Sequence, residues 1–449
     1  MKKTFALLII NVIVAFTCLG QFQENHLIGV IHQKGAWNTA INNNKIQGSG
    51  NTHNLLLNFI NQEGKNHLVK DQNWIQGSSN INQLLLLGVE QNGINNQLSG
   101  KQGVIGHNNA ANIIQSRISQ KGNFNRATLE SKIVGNNNTN NVISSQVNQW
   151  GNRNNAILQS PIYGDDHNGN SVHVFVAQLG IRNTAHVNTT ISKGARAVDN
   201  QTFLLQTGIG NYADIQQKTN GKGGESINNK VVALQSGGLH LLFINQNVSK
   251  GGKSKNNLSL VHQSGGLGNF AYIDQGASFG QESKNNEAAI LQLGGRGNIA
   301  FIWQRSLFSR EVSGNTASIT QIGGESPFSM LSFVVQNGRD NRVDIVQKRG
   351  GSIQHLWQEG SGNELNIFQE GEKLLLETIQ QSGIDNQLDI RQSGKGQRNK
   401  TEIRQGGQRN DFDLSIMGEG NRVIASQSGQ NKRIRVSLKG EDQKLIIRQ

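Results

Sequence analysis

Along most of this chain apolar and polar residues alternate with a period of two, and the alternation restarts after a glycine. The clearest copy is Asn386–Gly394, Asn-Gln-Leu-Asp-Ile-Arg-Gln-Ser-Gly. Side chains on a strand point to opposite faces in turn, so Asn386, Leu388, Ile390 and Gln392 share one face and Gln387, Asp389 and Arg391 the other. The first face is apolar at its centre with an amide at each end, and the second belongs to solvent. Gly394 follows where a tight turn favours a residue tolerant of positive φ. The same spacing returns at Asn363, Leu365, Ile367, Gln369 and Gly371, and at Asn341, Val343, Ile345 and Gln347.

These copies form an internal repeat. Its closing glutamines Gln336, Gln347, Gln358, Gln369, Gln381, Gln392, Gln405 and Gln427 fall about eleven residues apart, with a gap near Ile416. Gln33, Gln47, Gln62, Gln76 and Gln91 step by fourteen or fifteen, and Gln120, Gln149, Gln178, Gln206, Gln235, Gln263, Gln292 and Gln321 by twenty-eight or twenty-nine. A fixed period of this kind predicts a solenoid, in which each unit buries its face only by stacking on its neighbours.

The paired form is clearest in the middle. Gln178, Gly180, Asn183 and Ala185 open one strand–turn–strand unit, and Gln206, Gly208, Asn211, Ala213, Ile215 and Gln217 the next. Gln263, Gly265, Asn269, Ala271, Ile273 and Gln275 form another, as do Gln292, Gly294, Asn298, Ala300, Ile302 and Gln304. Thr219–Glu225, Ser249–Lys255 and Phe279–Asn285 are expected as looser loops along one edge. The sequence therefore predicts an all-β solenoid of two parallel sheets, of about fifteen coils stacked at roughly 4.8 Å, on the order of 70 Å long. Long coils of about 29 residues are expected over 33–336 and short coils of about 22 over 337–449, after a short lead at 21–32. The pattern persists to Leu445, Ile447 and Gln449, so uncapped ends are expected.

Composition supports a repeat over ordinary globular domains: 35% of residues are hydrophobic, 5% aromatic and 16% charged, with 54 Gly against 2 Pro. The polar excess is Asn, Gln, Ser and Gly at fixed positions, unlike the aperiodic polarity of disorder. Residues 1–20 differ in kind. Lys2 and Lys3 precede an apolar run from Phe5 to Phe16, the pattern of a secretory signal peptide cleaved near Gly20. That run is short for a membrane span, and no later segment is apolar enough for one. Cys18, the one cysteine, lies inside it, so disulfides and thiolate metal sites are excluded from the mature chain. The formal charge is +13, of which Lys2 and Lys3 contribute two. The excess is spread without blocks, which fits weak attraction to anionic polysaccharide or DNA rather than a dedicated nucleic-acid surface.

The unit Gln-x-Gly-x-x-Asn-x-Ala, with an apolar strand and a closing Gln, resembles the repeat of curlin, the subunit of curli amyloid fibres, across nearly the whole mature chain. The resemblance implies that inward Asn and Gln stack into amide ladders, a role falling here on Gln178, Asn183, Gln206, Asn211, Gln217, Gln263, Asn269, Gln275, Gln292, Asn298, Gln304, Gln347, Gln369 and Gln392. Gly180, Gly208, Gly265, Gly294, Gly371 and Gly394 would be the repeat-turn glycines. It also implies export through an outer-membrane secretion channel and assembly with itself, with a nucleator or a related fibre subunit, outside the cell. The chain is longer than a typical curli subunit, and many N-terminal copies lack the Asn or Ala.

Several catalytic strings occur by spelling. Gly276-Ala-Ser278-Phe-Gly280 matches a nucleophile elbow, but that motif needs a strand-to-helix turn. Gly208-Ile-Gly210-Asn-Tyr-Ala213, Gly266-Leu-Gly268-Asn-Phe-Ala271 and Gly295-Arg-Gly297-Asn-Ile-Ala300 match a dinucleotide fingerprint, yet no helix pattern follows and all three lie in repeat register. The 11 His are scattered, without metal-ligand spacing, and are expected outward or in turns. Asp165-Asp166-His167 is the densest titratable cluster, expected as a solvated turn. Trp150, Trp303 and Trp357 sit on the outward face, where sugar stacking and packing between fibres are both open. The expected function is therefore a secreted fibre-forming structural protein for biofilm matrix and attachment, with no catalytic residue, cofactor or metal. The alternatives are a non-polymerising solenoid adhesin and, third, a β-helix polysaccharide enzyme.

Overall fold

The computed structural model describes residues 24–192, 194–279, 281–306, 311–323, 330–349, 352–371, 375–394, 399–418 and 420–449. The signal sequence read at 1–20 and the start of the lead lie outside the described residues.

Where the alternation holds, the chain is strand. The protein is an all-β solenoid whose first sheet has, among the described residues, 16 parallel strands stacked in chain order, from His26–Ala36 to Arg433–Leu438. The second sheet begins with Thr39–Gln47 against Leu68–Gln76 and ends with Lys444–Arg448 against Arg422–Gln427. Each coil supplies one strand to each sheet, so the described residues make sixteen coils, in line with the expected number of about fifteen. The first coil begins within the stretch read as a lead: from His26 the chain is strand, pairing in parallel with Leu55–Lys65. Stacking at about 4.8 Å gives a rod of roughly 75 Å.

The register copies the sequence period. Gln33 lies over Gln62, Gln178 over Gln206, and Gln369 over Gln392. Inward side chains alternate with half-exposed ones, as in Glu364–Gly371, where Leu365, Ile367 and Gln369 are buried. One continuous apolar core runs from Leu56 to Val436.

The long coils have a third side that the sequence leaves as edge loops. It consists of single bridges through Thr52, Ile81, Ala110, Thr139 and Asn168. It then becomes short parallel strands at Arg196–Val198, Glu225–Ile227, Lys253–Lys255, Glu282–Lys284 and Val312–Ser313. The stretches read as loops at 219–225, 249–255 and 279–285 thus run into this ladder. The reason is local: Ser226, Ser254 and Ser283 are buried and bond the asparagines that open the next first-sheet strand, as Asn229 Nδ2 does to Ser226 Oγ at 2.8 Å. The third side ends where Ser313 meets Arg339, and the coils shorten to about 22 residues beyond it.

Candidate functional site: amide ladders through the coils

A buried carboxamide needs partners for two hydrogens and an oxygen, and leaving them unpaired costs about 1–3 kcal/mol each. In a stack of identical coils the neighbour's amide is always at hand. On the first sheet, Gln33, Gln62, Gln91, Gln120, Gln149, Gln178 and Gln206 each donate from Nε2 to Oε1 of the next glutamine, at 2.5–2.9 Å. The line continues through Gln235, Gln263, Gln292, Gln321, Gln347 and Gln369 to Gln392 at 2.8–3.1 Å. There it stops, because Ile416 occupies the position in the next coil, and Gln392 donates instead to Thr401 Oγ1 at 2.9 Å.

Not all the sequence-predicted amides share this line. Gln217, Gln275 and Gln304 belong to a second ladder on the other sheet, which links Gln217, Gln246, Gln275, Gln304 and Gln336. It continues through Gln358, Gln381, Gln405 and Gln427 to Gln449. Most ladder glutamines spend their other N–H on strand-end carbonyls across the core, Gln178 on Asn155 O at 2.9 Å for example. They thereby tie the two sheets together.

Asn183, Asn211, Asn269 and Asn298 form a third line, at the corner between the sheets. Asn183 Oδ1 accepts the Asn211 N–H at 3.1 Å, while its Nδ2 donates to Leu179 O and to Gly208 O of the following coil. Two positions in this line are histidine, which sequence reasoning missed as members. His67 follows Asn38 and His240 follows Asn211 by 29 residues, a spacing that identifies them. Each contacts the carbonyl four residues back through Nε2, Glu63 O at 3.0 Å and Ser236 O at 3.1 Å. Each meets the next coil's backbone N–H with Nδ1, at 3.3 and 3.4 Å. That is the asparagine pattern, made by the neutral imidazole protonated at Nε2. Burial holds both rings below the ordinary histidine pKa.

The turn glycines divide into two kinds. At Gly180 and Gly208, φ is 118° and 101°, and a Cβ would stand 2.1 and 2.0 Å from the stacked glycine's carbonyl oxygen. Gly265 and Gly294, at φ 63° and 66°, have no atom closer than 3.5 Å to such a Cβ, so conformation alone favours glycine there. Gly371, at φ 131°, pairs with Gly394 in register.

The second sheet carries on its outer face a row of aromatic rings in successive coils: His186, Tyr212, Phe243, Phe270, Phe301, Phe333 and His355, with centroids 5.2–5.8 Å apart. Trp303 and Trp357 are exposed beside it, and Trp150 is exposed on the first sheet. Asp165 and Asp166 occupy a corner and accept from Asn136 N and Asn137 Nδ2, while His167 is buried in it. Among the described residues no three His, Cys, Asp or Glu side chains group as metal ligands. The three dinucleotide-like strings are bends from one sheet to the other, and Ser278 is buried at the end of a strand, its string's Gly280 lying outside the described residues.

One charged group departs from the ladders. Asp71 faces inward in the second coil, fully buried, and burial pushes its carboxyl up to about 7. Among the described residues no helix is long and apolar enough to cross a membrane. Neither a scan against protein-family models nor a search of the curated proteins found a match to this chain.

Proposed function

We propose that this chain is a secreted, non-enzymatic structural protein that polymerises into extracellular amyloid-type fibres, as curli subunits do, for matrix building and surface attachment. The observation that carries this is the unbroken glutamine line from Gln33 to Gln392. Each glutamine between these two accepts from the coil before and donates to the coil after, so such a coil is complementary to another copy of itself along the axis. Strand addition at an edge uses the same backbone bonds that join coils. At the first coil, Leu27 and Ile31 stand in register over Leu56 and Ile60; the upper pair is 46% exposed and the lower pair 0%. Such an edge accepts a further coil without any change of fold. The partners are other copies of the chain, a nucleator or related subunit, and an outer-membrane export channel.

Fibre diffraction and electron microscopy on the chain from Gln21, diluted from denaturant at neutral pH, test this. Long fibres with reflections near 4.8 and 10 Å are expected. Gln206→Ala should slow their growth. A stable β-rich monomer under the same conditions would refute polymerisation. It would favour the second reading, a solenoid adhesin, which the outward aromatic row and Trp303 and Trp357 support, since aromatic surfaces stack on sugar rings.

A further inference from the structure

The interior of the second and third coils is short of hydrogen-bond donors. Asn58 Nδ2 contacts Asn42 Oδ1 at 2.5 Å, Asn44 Oδ1 at 2.8 Å and Asp71 Oδ2 at 2.6 Å. Asn73 Nδ2 contacts Asn44 Oδ1 at 3.2 Å, Asp71 Oδ2 at 2.8 Å and Asn58 Oδ1. A carboxamide nitrogen has two hydrogens, so each of these faces more oxygens than it can serve. Asp71 Oδ1, Asn73 Oδ1 and Gln102 Oε1 have no partner at all, in side chains that are 0% exposed. All three orphans are oxygens.

Their residues occupy neighbouring inward positions of the second and third coils. Asn73 pairs with Gln102 in the next coil, and Asp71 pairs with Gly100. The carboxylate leans over Gly100, where a Cβ would lie 2.8 Å from Asp71 Oδ1. Further along the interior, the hydroxyls of Ser116, Ser131 and Ser145 are also buried without partners. At the other end Asn42 and Asn44, in the first coil, are half-exposed and give a polar route inward.

We propose that the second and third coils enclose a site for a monovalent alkali cation of the sodium class, with Asp71 Oδ1, Asn73 Oδ1 and Gln102 Oε1 as protein ligands. Carboxylate and amide oxygens are the ligands hard cations take, whereas thiolate and imidazole suit softer ones. Charge selects the valence. Asp71 stands alone among neutral amides, so one positive charge neutralises the cluster, while a divalent ion would leave a net charge buried at high cost. Water entering past the half-exposed Asn42 and Asn44 completes the shell. The site is independent of assembly, because all its ligands lie within one chain.

The test is hydrogen exchange of the second and third coils in the full chain at pH 8, in sodium chloride against tetramethylammonium chloride at equal ionic strength, with sodium-23 relaxation as a direct readout. Sodium at tenfold its dissociation constant should slow opening of these coils roughly tenfold. Asp71→Asn, which keeps the shape and removes the charge, should abolish that protection and the sodium-23 broadening. Gln102→Met, which retains Asp71, should raise the sodium concentration needed for half the effect. Equal protection in the two salts, or a sodium response in Asp71→Asn matching the parent chain, would overturn the site and leave water alone in the interior. An unchanged Gln102→Met would remove Gln102 from the ligand set.

Discussion

Between Leu68 and Ser192 the inward column near the C-terminal ends of the second-sheet strands runs Asn73, Gln102, Ser131, Ser160 and Thr189. From Gln217 to Gln449 the same column is glutamine throughout the linked coils. The column is continuous in strand register from one region to the other, and the difference lies in what one side chain can span. Coils are about 4.8 Å apart, and a carboxamide carries its donor and its acceptor on separate atoms, so it bridges both neighbours. A hydroxyl also donates and accepts, but its short side chain does not reach the column residue of both neighbouring coils across that spacing. Ser160 therefore bonds Thr189 at 2.9 Å, while Ser131 is left with no partner. The repeat fixes the backbone, and the identity of a single inward residue decides whether polarity there stabilises the stack or weighs on it.

The largest effects should come from the turns. In Gly208→Ala the new methyl meets the Gly237 carbonyl oxygen, which belongs to backbone and cannot swing aside. Clash and positive φ together should cost about 3–5 kcal/mol in that coil. Gly265→Ala meets no such obstacle and should cost about 1 kcal/mol, the conformational part alone. Native-state hydrogen exchange of the affected coil measures both, which a single unfolding midpoint does not when coils open separately. Equal losses would mean that the close glycine stacking has no special weight.

The interior comparison can be broken in both directions. Gln206→Ala removes an acceptor from Gln178 and a donor from Gln235, and leaves a cavity, so its coil should lose about 2–4 kcal/mol. Ser131→Ala deletes a buried hydroxyl that bonds to no other group. It should leave exchange unchanged or slower, by about 1 kcal/mol at most. If Ser131→Ala were as damaging as Gln206→Ala, bound water would be satisfying Ser131 as well as a ladder satisfies glutamine.

Much of this was legible in the sequence, because a period-two pattern and a fixed repeat translate directly into strand faces and register. Asn386, Leu388, Ile390 and Gln392 are buried together as the alternation requires. What the pattern could not separate was one ladder from another, since Gln206 and Gln217 read as the same letter in a half-repeat although they sit on different sheets. The third side was hidden in Gly- and Ser-rich stretches whose alternation lasts only three residues, too few to stand out from a loop. The lead escaped notice because Gly29 breaks the inward run between Leu27 and Ile31, at the position that Leu87 fills two coils on. Asp71 reads as an ordinary polar residue until the register places it inward.

The smallest effect distinguishes the asparagine corner from its two histidine substitutes. Asn211 and Asn269 accept and donate independently of pH, whereas His240 between them mimics asparagine only while neutral, with Nδ1 accepting from Asn269 N–H. Protonation would turn that nitrogen into a donor aimed at another donor. Burial already lowers the His240 pKa, with the Ser236 carbonyl contact opposing the shift in part, and His67 follows the same logic. Because the folded value lies below the unfolded 6.5, the unfolded state takes up the proton first as pH falls. The stabilisation is fully present above pH 6.5 and is lost progressively below it, towards the folded pKa. Hydrogen exchange of the coil around His240, measured from pH 7.5 downwards and corrected for intrinsic exchange, should show that loss in the parent chain. His240→Asn should show a flatter profile. An identical slope in both would place the pH sensitivity elsewhere and leave His240 as a neutral substitute with no consequence for acid stability.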